Sequence, residues 1–449
     1  MVDPNANIAP LRDPIGEAIG SSAPRLEAEE KITGTAVYTD DMTLPGMLHA
    51  AVVGSDYPHA RILAYDIDAA RALAGVKAVI TGEDLEMAPV GQMIKDETAL
   101  ARGKVRYIGE PVVAIAAVTL DIARAAARLV EIEYEELDAV FDPEDALKAD
   151  APVLHEERSS YAAVFEMPEH PNAMSYTQYK EGDPETAWNE CDVIVEGVYE
   201  TPAQEHMYME PCSTISSYDR TGKVTIWSSQ QSVFRVQALV AESLCMPMSD
   251  VRVISPKVGG GFGGKCDLTH QPISVLLSRA TKRPVKYTLT REEDMMTTKS
   301  RHPCKIYMRT GAKKDGTLMA REGKFYLDSG AYADEGPEVA TVTAFFSRGP
   351  YRIPNINTET WAVYTNKLKA SAFRGFGNPQ ASFAAESQLD EVAEKIGMDP
   401  LQLRLKNALK TGEHWLGGQR VEVGSLADCL EAARVESGWN QKIGGLSAP

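Results

Sequence analysis

The chain alternates between two hydrophobic rhythms, and both appear early. Residues 111–118 (PVVAIAAV) form a short apolar run with β-branched members, the pattern of a strand buried on both faces. Asp121 follows as a predicted helix cap, with Ile122, Ala126 and Leu129 on one face. Val130, Ile132 and Tyr134 then alternate with Glu131, Glu133 and Glu135, which predicts a half-buried strand with a charged outer face. Further strands are expected at 224–227, 251–254, 285–289 and 324–327. Ala385, Leu389, Val392 and Ile396 lie at helical spacing. Gly397 reads as that helix's C-terminal stop, and Asp399-Pro400 as the cap and first position of the next. Mixed strands and helices make the fold α+β.

Five stretches follow from composition and periodicity. Residues 1–28 are Pro-, Ala- and charge-rich and predict a disordered lead-in. Residues 29–146 read as a compact α/β domain, and 147–190 as a polar linker over the surface. Residues 191–442 read as a second domain and 443–449 as a tail.

Charge and cysteine usage narrow the chemistry. Of 449 residues, 46 are Lys or Arg and 64 are Asp or Glu, a formal net charge of −18. That excess argues against a nucleic-acid partner, whose phosphates call for clustered Lys and Arg. No uncharged apolar run approaches the ~20 residues of a helical membrane crossing, and no export signal is read at the start, so a cytoplasmic location is expected. The six cysteines form no CxxC pair and the eight histidines no HExxH. A protein-ligated zinc or iron–sulfur site is therefore not expected.

Three stretches carry chemistry. Residues 259–265 (GGGFGGK) hold five glycines, which suits main chain wrapped closely around an anionic ligand. They also fit the phosphate-cradling pattern GxxxxGK, but Cys266 stands where that loop needs a Ser or Thr hydroxyl. Residues 372–380 (AFRGFGNPQ) set an Arg among glycines and aromatics. Residues 204–211 (QEHMYMEP) place polar groups inside an apolar stretch.

With 31–34 (KITG), 58–62 (PHARI), 301–303 (RHP) and 328–332 (DSGAY), this ordered series resembles the molybdopterin-binding subunit of the xanthine dehydrogenase and aldehyde oxidase family over about residues 28–440. The resemblance implies an N-terminal α/β hammerhead domain followed by the first molybdopterin-binding domain. It implies molybdenum held by the dithiolene of a pterin, either Mo-molybdopterin or its cytosine dinucleotide form, so that no protein ligand is needed. Gln204 would approach the metal's surroundings, and Gly260, Gly261, Phe262 and Gly263 would run beneath it. Arg374 and Gly375 would meet the pterin through main chain. Phe376 would stack on a planar substrate, and Arg301 would stabilise charge developing on it. In such a cradle, a side chain at Gly261, where a positive φ is expected, should do more harm than loss of the Lys265 charge.

The implied reaction is hydroxylation of an electron-poor carbon, as in an aromatic N-heterocycle such as nicotinate or a purine, with water as oxygen donor. The family's general-base Glu follows in a second molybdopterin domain, expected on a partner subunit. Gly109-Glu110-Pro111 has the right letters but stands in the hammerhead region, where a structural role is expected. An iron–sulfur subunit with [2Fe–2S] clusters and an FAD subunit are further implied partners. Cys266 stands where purine hydroxylases grip the purine with a Glu, which points away from xanthine. A 4-hydroxybenzoyl-CoA reductase-like or aldehyde-oxidising subunit is the alternative within the family. A P-loop nucleotide-binding protein and a non-catalytic fragment are alternatives outside it.

Overall fold

The computed structural model describes residues 22–84 and 87–445. Most of the predicted lead-in, residues 1–21, and the end of the tail, 446–449, lie outside the described residues. Within them, Ala28–Ile32 is a short helix, and a terminal helix spans Trp439–Gly445.

A seven-stranded sheet joins the two halves of the chain. Leu48–Gly54, Val76–Thr81 and Pro111–Ala117 come from the first half. Ser213–Tyr218, Val224–Ser228, Val251–Ile254 and Val285–Thr288 come from the second. The seam is a short parallel pairing of Leu48 with Val285 and His49 with Lys286. One core runs through it: Leu48, Ala114 and Ala116 pack with Leu276, Leu277 and Val285. The strand expected at 111–118 is the buried second-from-edge strand of this sheet, which is why it lacks alternation.

A second sheet of five strands carries the site from the other side. Its order is Ala173–Glu181, Asn355–Tyr364, Leu318–Gly330, Cys304–Ala312, Val193–Thr201. Helices Gly336–Phe346 and Asn378–Ile396 pack on it through Val339, Ala340, Ala381, Ala384 and Ala385. A three-stranded sheet of Lys104–Val105, Ala60–Asp66 and Glu131–Glu136 completes the N-terminal part of the fold, with Ile132 and Tyr134 turned inward as their alternation predicts.

Two expectations need correction. The stretch read as a linker contains the nine-residue strand Ala173–Glu181 and the short helix Pro184–Ala187. That strand is an edge, so its outward residues are polar and the apolar signal is diluted. The helix Leu120–Ala127 is capped by Thr119, whose side chain accepts from Ile122 N, and not by Asp121. Asp121 instead places its charge in the first turn, where the helix dipole favours it. The stop at Gly397 (φ +70°) and the cap by Asp399, which accepts from Leu401 N, stand where expected.

Candidate functional site

The glycine stretch leaves strand Val251–Ile254 and reaches no helix until Gln271. Its shape is set by three side chains. Lys265 is fully buried: its Nζ donates to Glu210 O (2.7 Å) and Glu210 Oε2 (3.1 Å) and lies 4.4 Å from the centre of the Tyr208 ring. Glu210 Oε2 also accepts from Gly259 N at 2.7 Å, so one carboxylate ties both ends of the loop. Between them, Gln231 Oε1 accepts from Gly263 N (3.0 Å) and Lys265 N (3.3 Å).

This geometry changes three expectations. A phosphate-loop lysine must project toward its ligand from the start of a helix, whereas Lys265 is consumed internally and has no helix behind it. The P-loop reading fails on that ground. For the same reason the Lys265 charge is structural and not dispensable. Positive φ falls at Gly260 (104°), Phe262 (53°) and Gly263 (111°), not at Gly261. A Cβ on Gly261 would meet the movable Gln231 amide at 2.3 Å, whereas one on Gly263 would meet the Ala372 carbonyl oxygen, main chain, at 2.5 Å.

The second stretch, 371–376, lies against the first: Arg374 N donates to Phe262 O at 2.9 Å. Here side chains grip the main chain. Glu335 Oε2 accepts from Ala372 N (3.1 Å), and His206 Nε2 donates to Ala372 O (2.8 Å). Arg301 Nη2 donates to Arg374 O at 2.9 Å. The Phe373 ring stacks on His206, with centroids 4.3 Å apart and planes 24° apart, and the Arg301 guanidinium lies 4.1 Å from its centroid. Gly375 (φ 96°) and Phe376 (φ 47°) then turn the chain left-handed, and the half-buried Phe376 ring packs against the core of the five-stranded sheet. Arg374 keeps its side chain exposed, 5.2 Å over the Phe262 ring, itself 41% exposed.

Gln204 belongs to a two-stranded ribbon, Gln204–Glu205 with Ser300–Arg301, in which Gln204 faces Arg301. Arg301 Nε donates to Gln204 Oε1 at 3.3 Å. One buried guanidinium thus holds an exposed glutamine and the carbonyl of Arg374 together. Asp294, seven residues before Arg301, pairs with Arg291 at 3.1 Å.

The charges behind the site are unusual. With the ring neutral and Nε2–H donating to the Ala372 carbonyl, His206 Nδ1 carries the lone pair. Burial pushes the ring down to about 4, so it is neutral. Glu205 Oε1 lies 3.9 Å from that Nδ1, and burial together with Asp294 pushes Glu205 up to about 7. Deeper, Asp267, Asp334 and Glu335 form the tight buried group of carboxylates found among the described residues. It is met by Arg235, with Nε to Asp267 Oδ1 at 2.9 Å and Nη1 to Glu335 Oε1 at 2.7 Å, and by Lys299, 2.8 Å from Asp334. Glu110 lies in a different place, buried, raised by desolvation, and accepting from Arg106 N and the Tyr332 hydroxyl.

The structure therefore brings together Gln204, residues 260–263, Arg301 and 374–376. Sequence reading missed Gln231, His206, Phe373, Arg235 and Glu335. His206 and Phe373 stood inside stretches already singled out. Gln231, Arg235 and Glu335 carried no local signal.

What faces the site is main chain, glycine and the Phe262 ring, with Gln204 and Arg374 as exposed side chains, and the clustered carboxylates behind it are engaged by Arg235 and Lys299. That suits a metal which arrives with its own ligands, and Gly263 lets the two stretches meet main chain to main chain, since a Cβ there would strike the Ala372 carbonyl oxygen. Such a cradle beside a hammerhead fold defines a molybdopterin-binding protein. A family model for the molybdopterin cofactor-binding domain matches residues 165–408, and one for the aldehyde oxidase and xanthine dehydrogenase a/b hammerhead domain matches 33–138. The chain belongs to the xanthine dehydrogenase and aldehyde oxidase family of molybdenum oxidoreductases.

It is 39% identical over 424 residues to the nicotinate dehydrogenase large molybdopterin subunit of Eubacterium barkeri, covering 93% of this chain and 96% of that one. It is 33% identical over 436 residues to the xanthine dehydrogenase molybdenum-binding subunit of Escherichia coli O157:H7, covering 93% of this chain and 56% of that protein. Among solved structures, the aldehyde oxidoreductase of Desulfovibrio gigas superposes with a TM-score of 0.86 at 32% identity, covering 93% of this chain and 46% of that one. The chain spans about half the length of the last two.

Proposed function

We propose that this chain is the first-domain half of a split, cytoplasmic molybdenum hydroxylase acting on an aromatic N-heterocycle of the nicotinate kind. The observation that carries this reading is the pair of facing stretches, 260–263 and 372–376, pinned by side chains that themselves stay behind the main chain. The near-complete mutual coverage with the nicotinate dehydrogenase subunit supports the split. The general-base Glu would come from a second molybdopterin-domain subunit, and [2Fe–2S] and FAD from others. When bound, the molybdenum–pterin group supplies the two-electron chemistry of hydroxylation.

This chain's residues would do the positioning. Gly260, Gly261, Phe262 and Gly263 would seat the cofactor, with Gly375 and the main chain of Arg374 closing on the pterin. Gln204 would present its amide toward the metal's surroundings with its orientation held by Arg301. Arg301 has two donors and one face committed to protein, so we assign it a positioning role in place of the charge-stabilising one. Phe376, fixed in a left-handed turn, would offer its ring to a planar substrate. Glu110, spent on Arg106 and Tyr332, would not serve as the base.

The test is co-purification with the products of neighbouring genes, followed by molybdenum and pterin analysis and dye reduction with nicotinate. Molybdenum in the complex, turnover by the complex and none by this chain alone are expected. Turnover by the isolated chain would overturn the split reading. An aldehyde-specific complex would favour the aldehyde-oxidising alternative, which the Desulfovibrio likeness supports.

A further inference from the structure

Resting on the reading above, we propose that Arg235 is the specificity-determining residue of this site and that its guanidinium takes the carboxylate of a planar heteroaromatic acid. Arg235 lies in the first turn of the helix Val233–Ser243, four residues past Gln231, whose amide holds Gly263 and Lys265. Its two anchors lead to both halves of the cradle. Asp267 directly follows Cys266 at the end of the glycine stretch, and Glu335 accepts from Ala372 N and from Ser371 Oγ (3.3 Å). Arg235 therefore sits at the junction of the two segments that form the site.

The anchors also set the fork. Nη1 donates to Glu335 Oε1 and Nε lies 2.9 Å from Asp267 Oδ1 as an ion pair, so the guanidinium is held at two points, while Nη2 makes no hydrogen bond among the described residues. A planar donor fixed in advance loses little freedom on binding a carboxylate, which is what distinguishes Arg from Lys here. The two acids do not cancel its appeal to an anion. Their side chains are only 5% and 4% exposed, and both also face inward charge or donors: Lys299 lies behind Asp267, and Gln92 donates to Glu335 (3.2 Å). Arg235 is 30% exposed, more than either acid. Glu338, on the neighbouring helix Gly336–Phe346, is the further acid within its field. The half-buried Cys266 lies in the same field and brings no charge of its own, because burial and Glu335 hold its thiol protonated.

The experiment uses the assembled, molybdenum-loaded complex. With wild type, benzoate should inhibit competitively at least about tenfold more strongly than benzamide, the gap expected from one charge-assisted contact. In Arg235→Gln, KM for pyridine-3-carboxylate should rise about 10- to 100-fold, while KM for pyridine-3-carboxamide shifts less than about threefold and molybdenum content holds. Arg235→Lys should show the same selectivity with a smaller rise. Equal inhibition by benzoate and benzamide, or equal losses for acid and amide, would overturn the proposal and leave Arg235 a staple between segments. The wild-type inhibitor comparison decides the matter even if Arg235→Gln fails to fold. A complex that holds no molybdenum would instead overturn the hydroxylase reading itself.

Discussion

The two stretches that face each other in the site are built by opposite means. Residues 259–265 owe their course to missing side chains: Gly260 and Gly263 take positive φ, and Gly263 lies where a Cβ would strike main chain. Their bracing comes from outside, through Glu210 and Gln231. Residues 371–376 are held through carbonyls and an N–H by His206, Arg301 and Glu335, with Phe373 clamped between two of the three. A glycine loop alone would be floppy, since glycine loses the most conformational freedom on ordering. The comparison teaches that the cradle divides its labour: one wall, bare of side chains, lets the two stretches close on each other, and the other gives rigidity.

The largest effect that would break this division is expected at the brace. Lys265→Ala leaves Glu210 buried without its cation and should cost about 3–5 kcal/mol, read as a drop in urea midpoint. An unchanged midpoint would mean that the loop does not depend on its staple. Gly263→Ala comes next, at about 2–3 kcal/mol for positive φ and the clash with Ala372 O, with molybdenum lost from the complex. Gly261→Ala should be milder, because the Gln231 amide it meets can shift at the cost of its bonds to Gly263 N and Lys265 N, about 1 kcal/mol; equal losses at 261 and 263 would contradict the assignment of the main-chain contact to Gly263.

Arg301→Lys tests the rigid wall. It keeps the charge but loses the fork that joins Gln204 to Arg374 O, so about 1–2 kcal/mol of stability should go, with kcat falling more than KM changes. A selective rise in KM would return Arg301 to the substrate.

The smallest effect is pH-dependent. Glu205, raised to about 7, binds its proton more tightly folded than unfolded. Its contribution is therefore present below about pH 4.5 and is lost as pH rises through 7. His206, lowered to about 4, acts in the opposite sense and weakens the fold as pH falls below about 6.5. Glu205→Gln should leave stability at pH 5 unchanged and raise it at pH 8 by about 1–2 kcal/mol, a figure discounted for solvent screening because the side chain is still 11% exposed. A mutant whose midpoint does not gain on wild type between pH 5 and 8 would remove Glu205 from the strained side of the ribbon.

Local signals in the chain were strong wherever one face or one residue type decided the outcome. The strand near 111–118, the alternating strand Glu131–Glu136 and the stop at Gly397 follow from burial, pleat and left-handed geometry within a few residues. The edge strand Ala173–Glu181 was hidden because an edge needs no apolar alternation. The cap at Thr119 was hidden because Asp121 offered an equally good oxygen two residues on.

The sequence by itself determined the two stretches of main chain that form the site, the strand before the first and the helix after the second, because glycine content and apolar period act over a few neighbours, and its ordered motifs carried the family resemblance. Tertiary structure alone decided what holds those stretches. Gln204 and Arg301 are 97 positions apart, His206 and Ala372 are 166 apart, and Arg235 and Glu335 are 100 apart. Whether a lysine is a ligand or a staple, and whether an arginine touches substrate or positions a glutamine, depends on which partners folding brings within about 3 Å, because desolvation and hydrogen-bond geometry act only at that range.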